Sequence, residues 1–259
     1  MGSNFLTDKN QQPYRTAFNS LRMLLDKIIG NRLFIAKTTK PSFAALKPFL
    51  KLVKGNSSLE AVEEMTIALL QTPSYELALE HLKRDPDAAT MIEQRYMAPP
   101  HDLKALLKYP SDSLGYIYAS TMKEKGFRAE DLYLQIPLDY EVTYLEARLS
   151  QTHDIWHIVT GFTADEIDEI GLQAFHLPQF PYPLAVSFVS SGLMSVLLLA
   201  PEQVTPLLES IQQGWYMGKQ AKPLFGQKWE EAWEKPLTQW REELNIIPVI
   251  SSLKSDSAC

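Results

Sequence analysis

Two histidines four residues apart, His153 and His157, enclose Asp154. Residues at this separation on a helix lie one above the other, so the imidazoles share a face about 6 Å apart and can clasp a divalent metal ion or handle a proton. The zinc-protease motif H-E-x-x-H places a glutamate base where Asp154 stands. Aspartate is a methylene shorter, so Asp154 reads as a ligand or as a group holding the site rather than as a base. Glu169 is the expected further ligand, because the chain can reverse between His157 and Glu169 and bring that carboxylate back to the pair. Asp165, Glu166 and Asp168 compete for the same role. Without a metal, the same residues would form a hydrogen-bonded polar seam. Arg148 lies near the same face and suits either a substrate anion or a structural salt bridge.

These residues need a helix and a corner. Leu145, Leu149, Thr152, Trp156 and Val159 recur at steps of four and three, which predicts a helix that starts after Pro137 and Asp139 and stops at Gly161. Trp156 then packs the core. Thr163-Ala164-Asp165-Glu166 reads as a capping box opening a second helix at once. Upstream, helices are predicted over 14–30, after an N-cap at Ser58, over 75–83, over 87–96, and from Pro110-Ser111-Asp112-Ser113 to Gly126. His81 and His101 read as lone surface residues and His176 as structural. Downstream, Leu184 to Ala200 holds 17 residues without a charge between two prolines. A membrane span takes about 20 such residues, and the serines and glycine dilute this one, so it is predicted to be a buried central helix. Residues 215–245 read as a Pro223-Leu224-Phe225-Gly226 turn flanked by helices.

The composition, 45% hydrophobic and 22% charged, is that of a globular protein with a full core, and 11 glycines favour helices over punctuated strands. No repeat or low-complexity linker divides it, so 1–259 is predicted to be one all-α domain, a multi-helix fold. The net charge of −6 and the lack of a basic stripe argue against nucleic acid. The single cysteine, Cys259, leaves no disulfide or thiolate zinc site, which fits a reducing compartment. With neither a secretory signal nor a lipidation motif, the expected location is cytoplasmic.

The run His153-Asp154-Ile155-Trp156-His157, eleven residues and Glu169 resembles the H-D-x-x-H…E signature of the coenzyme Q (ubiquinone) biosynthesis protein four family. Arg148, Ile158-Val159-Thr160-Gly161-Phe162, Leu114-Gly115-x-x-Tyr118 and Gly218-x-x-Ala221-Lys222-Pro223-Leu224-Phe225 extend the resemblance over about 90–245. It implies a mostly helical protein with a divalent metal, zinc or alternatively iron, held by His153, Asp154, His157 and Glu169. It also implies a place in ubiquinone or prenylquinone biosynthesis, either in exchanging the ring carboxylate of a prenylated benzoate for hydroxyl or in organising other enzymes. Zinc has no redox chemistry, so oxidation would fall to the substrate, a partner or iron. The partners that follow are a polyprenyl or prenylquinone-type lipid, the other quinone-biosynthesis enzymes, a membrane touched peripherally, and a second copy of the chain as a homodimer.

Overall fold

The computed structural model describes residues 44–126 and 138–249. The helix predicted over 14–30 lies outside them. The described residues form eleven α-helices and no strand: α1 Leu46–Val53, α2 Leu59–Leu70, α3 Pro73–Leu82, α4 Pro86–Gln94, α5 Leu103–Leu106, α6 Leu114–Glu124, α7 Glu141–Thr160, α8 Glu166–Gln179, α9 Pro183–Leu199, α10 Val204–Gln220 and α11 Leu237–Glu243. Local chemistry sets most of the boundaries. Ser58, Asp85 and Ser113 cap α2, α4 and α6 by accepting from the amides of Ala61, Ala88 and Tyr116. Pro73 and Pro86 each start a helix, where no amide hydrogen is required. Helix α1 was not foreseen.

The central helix is α7. Fifteen of its twenty residues are buried, so it is packed nearly all round. The prediction that Leu184–Ala200 is the buried central helix is corrected here. In α9 only Pro183, Leu184, Ala185, Ser187 and Ser191 are buried, and Leu197, Leu198 and Leu199 are about 60% exposed. Helix α7 tolerates burial despite its charges because each has partners. Glu146 accepts from the hydroxyls of Tyr75 and Tyr182, and Arg148 pairs with Glu230. A buried polar group with partners avoids the desolvation penalty that would otherwise expel it.

Helix α7 ends at Gly161, whose φ of +84° suits glycine and whose missing side chain lets the carbonyl of Val249 pass close by. The C-terminal segment finishes this end. Arg241 donates to the carbonyls of Ile158 and Val159, and the Val249 amide to that of Thr160, so the last carbonyls of the helix are satisfied and a cation sits at its negative pole. Helices α8 and α10 then cross at backbone contact, since a side chain on Gly214 or Gly218 would strike the carbonyls of Gly171 or Phe175. These close approaches fix α8 against α10. Among the described residues, no helix is long and apolar enough to cross a membrane.

Candidate metal centre

His153 and His157 lie one turn apart on α7 with their rings nearly perpendicular and their Nε2 atoms 3.2 Å apart. The corner after Gly161 returns the chain so that Glu169, in the first turn of α8, sets Oε2 3.0 Å from His157 Nε2 and 3.5 Å from His153 Nε2. The corner is not the predicted capping box. Asp165 is the N-cap, accepting from the amides of Ile167 and Asp168, while the Thr163 amide donates to Asp168. Asp165 and Asp168 are therefore held in the turn, Glu166 is exposed, and of the four acidic candidates Glu169 alone faces the histidines.

The tautomer of His157 follows from its neighbours. Its Nδ1 lies 3.0 Å from the carbonyl oxygen of Phe162, which can only accept, so Nδ1 carries the hydrogen and Nε2 presents a lone pair. That lone pair meets a carboxylate and a second imidazole. This lone pair and a carboxylate oxygen thus converge on His153 Nε2, an arrangement that a hydrogen on that nitrogen or a metal ion among the three atoms satisfies. A proton on His153 can serve. Burial lowers the His153 pKa, but the charge and hydrogen bond of Glu169 and the Asp154 charge together outweigh it and the net shift is upward; burial likewise raises Glu169, but the two histidines hold its carboxyl well below the usual range. His157 is 7% exposed, Glu169 25% and His153 37%, so the group opens to solvent on the His153 side.

These shifts give a sign for stability. The raised His153 contributes stability that is complete below its unfolded value and fades as pH rises through its folded value. The lowered Glu169 contributes stability that is present above its unfolded value and fades as pH falls through its folded value. The pair therefore stabilises the metal-free protein most between the ordinary carboxylate and imidazole values, roughly pH 4.5 to 6.5. Urea titrations should show that Glu169→Gln destabilises more in this window than at pH 9; a difference independent of pH would contradict the ion pair.

Asp154 does not join the three. Its carboxylate accepts from Lys125 Nζ at 3.2 Å. Arg148 is likewise placed elsewhere than the substrate-binding reading expects. It is 1% exposed, and its guanidinium is taken by both oxygens of Glu230, by Gln151 and by the carbonyl of Gln227, which is the salt-bridge alternative. His101 is not a surface residue; it is buried with Nδ1 3.0 Å from the Tyr118 hydroxyl. His81 is half-buried in the last turn of α3. His176 is structural as expected: it is stacked on Trp156 at 4.5 Å, and burial pushes it down to about 3, so it is neutral. Two neighbours escaped sequence reasoning. Gln173 donates to Glu169 Oε1 at 2.7 Å, and its spacing of four from Glu169 is a signal that was there to find. Lys125 had none, because 29 residues separate it from Asp154.

The family model of Coenzyme Q (ubiquinone) biosynthesis protein Coq4 matches residues 56–249. A mitochondrial ubiquinone biosynthesis protein COQ4 homolog of Drosophila ananassae is 26% identical, over 78% of this chain and 79% of that protein. The mitochondrial homolog of Aedes aegypti is 28% identical over 56% of this chain and 53% of that one; the COQ4 protein of Zygosaccharomyces rouxii is 31% identical over 57% and 44%. The chain thus spans about half the length of two of these relatives. A crystal structure of a Nostoc punctiforme protein, assigned provisionally to ubiquinone biosynthesis, superposes with a TM-score of 0.73 at 31% identity, covering 80% of this chain and 98% of that one.

Proposed function

The chain belongs to the coenzyme Q (ubiquinone) biosynthesis protein Coq4 family, and on that premise we propose that it is a metal-dependent protein acting on the head group of a prenylated hydroxybenzoate. The observation that carries the reading is the convergence of His153 Nε2, His157 Nε2 and Glu169 Oε2 on one point. Two imidazoles and a carboxylate suit zinc with an open position and equally suit iron. When bound, such an ion supplies a Lewis acid for an anionic oxygen and, if iron, a redox partner. The residues do the rest. The Phe162 carbonyl fixes the His157 tautomer, Gln173 orients Glu169, and Asp154 supports His153 electrostatically from the Lys125 side. The partial exposure of His153 leaves a side from which a head group can approach.

In this reading the ring–carboxylate bond breaks with release of carbon dioxide and a ring–hydroxyl bond forms, a two-electron oxidation in which dioxygen supplies the hydroxyl oxygen and an added two-electron reductant carries its second atom to water. The test is elemental analysis of purified protein, followed by incubation in air with prenylated 4-hydroxybenzoate and a reductant after loading with zinc or iron. The expected result is stoichiometric metal and a decarboxylated, hydroxylated product with one of the two. Failure to retain or take up either metal would overturn the reading.

A second reading has its own observation. Met194, Leu197, Leu198 and Leu199 on α9 are 42–62% exposed, an apolar face that suits a polyprenyl chain or a membrane surface. Each buried methylene of such a chain contributes about 0.8 kcal/mol. The protein would then hold prenyl lipid for the other quinone-biosynthesis enzymes without turnover. Mass spectrometry of lipid extracts should find an isoprenoid in the purified protein; none, together with no binding of added polyprenyl phosphate, would count against this role.

A further inference from the structure

Gln173 stands one helical turn beyond Glu169 on α8 and is 5% exposed. Its Nε2 donates to Glu169 Oε1 at 2.7 Å, while its Oε1 is buried and meets no donor among the described residues. A buried amide oxygen without a donor is destabilising and calls for an explanation, such as a bound water or ligand. Turning the amide over does not relieve it, since that would set two acceptor oxygens against each other at the same distance. The orphan is therefore a consequence of what Gln173 does for Glu169. Once Nε2 is committed to that carboxylate, Oε1, on the same amide carbon, is left without a donor beside the Glu169 side chain.

We propose that Gln173 is a positioning residue of the metal centre, holding Glu169 with its amide N–H and presenting Oε1 to a hydroxyl donor that arrives as bound water or as part of a ligand. This rests on the metal reading above and deepens it: the ligand favoured is one that pairs an anionic oxygen for the ion with a protonated hydroxyl for Gln173. An ether in place of that hydroxyl leaves the buried oxygen unpaired and should bind roughly tenfold less tightly.

The test uses the full chain loaded with cobalt(II), whose visible spectrum reports the ligand set, and two probes, catechol and its monomethyl ether. Wild type should prefer catechol by roughly tenfold. Gln173→Met, which removes both amide groups at similar length, should keep cobalt but bind the two probes equally; that result identifies the donor as a ligand hydroxyl. If wild type shows no preference but Gln173→Met shifts the pH midpoint of the ligand-free spectrum, the donor is bound water, which also supports the proposal. If Gln173→Met fails to fold or to take up cobalt, Gln173→Leu carries the test. It also lacks both amide groups and adds no charge, so it should lose the preference for catechol, and its keeping the wild-type preference overturns the proposal. Cobalt-loaded variants that match wild type in both readouts overturn the role of Gln173 alone. A wild type that binds no cobalt overturns this role and the metal reading together.

Discussion

On the metal-dependent reading proposed above, His157→Ala protein should bind no metal while keeping its helical circular dichroism. His157 is the most enclosed of the three converging groups at 7% exposed, and its ring is oriented by the bond from Nδ1 to the Phe162 carbonyl, so no neighbouring residue can take over its Nε2. Removing a group that merely orients a ligand lowers metal affinity by 10–100-fold or so, and removing the ligand itself should exceed this. The scaffold survives because the centre lies at the outer edge of the α7–α8 corner, whereas α7 is held along its length by the buried contacts of Leu145, Leu149, Ile155 and Trp156. The check is metal content after dialysis, alongside far-ultraviolet circular dichroism. Stoichiometric metal in the alanine variant would remove His157 from the ligand set.

Arg148→Met should destabilise the fold by roughly 3–5 kcal/mol, the usual consequence of stranding one partner of a buried ion pair. Its guanidinium meets both carboxylate oxygens of Glu230 at 2.6 and 3.0 Å, and the two side chains are 1% and 5% exposed. Burial disfavours the Glu230 charge, yet hydrogen bonds from His101 and Arg148 hold the carboxyl down at about 2. Without Arg148 that charge stays buried beside a group that cannot answer it. Methionine keeps the length and most of the apolar contact, so the loss isolates the charge. Denaturant unfolding measures it, and Arg148→Met with Glu230→Gln should recover much of the difference. A loss below about 1 kcal/mol would mean that the pair is not structural.

Much of this was legible in the chain, and most of the misreadings share a cause. The spacing of His153, His157 and Glu169 and the stop at Gly161 are local features, decided within one helix and one turn, and the structure brings these three side chains together. The caps at Ser58 and Ser113 are equally local. The central helix was misjudged because hydropathy ranks Leu184–Ala200 above Glu141–Thr160, whereas burial of α7 depends on partners far away in sequence: Tyr75 and Tyr182 for Glu146, Glu230 for Arg148, the backbone of Ala98 for Gln151. Nothing near Arg148 announces Glu230, and nothing near His101 announces Tyr118. The Thr163 cap failed differently. Thr163 and Asp165 both suit an N-cap, and Asp165 prevails because its side chain reaches two amides at once.

The central claim is that His153, His157 and Glu169 bind a metal ion together and that Asp154 stands outside the set. An anomalous difference map at the zinc edge, from crystals of the protein grown with zinc, tests it most directly. The account predicts one strong peak bonded to Nε2 of both histidines and to Oε2 of Glu169, with the Asp154 carboxylate still on Lys125. A peak bonded to Asp154 in place of Glu169, or no peak at this corner with zinc in excess, would contradict it.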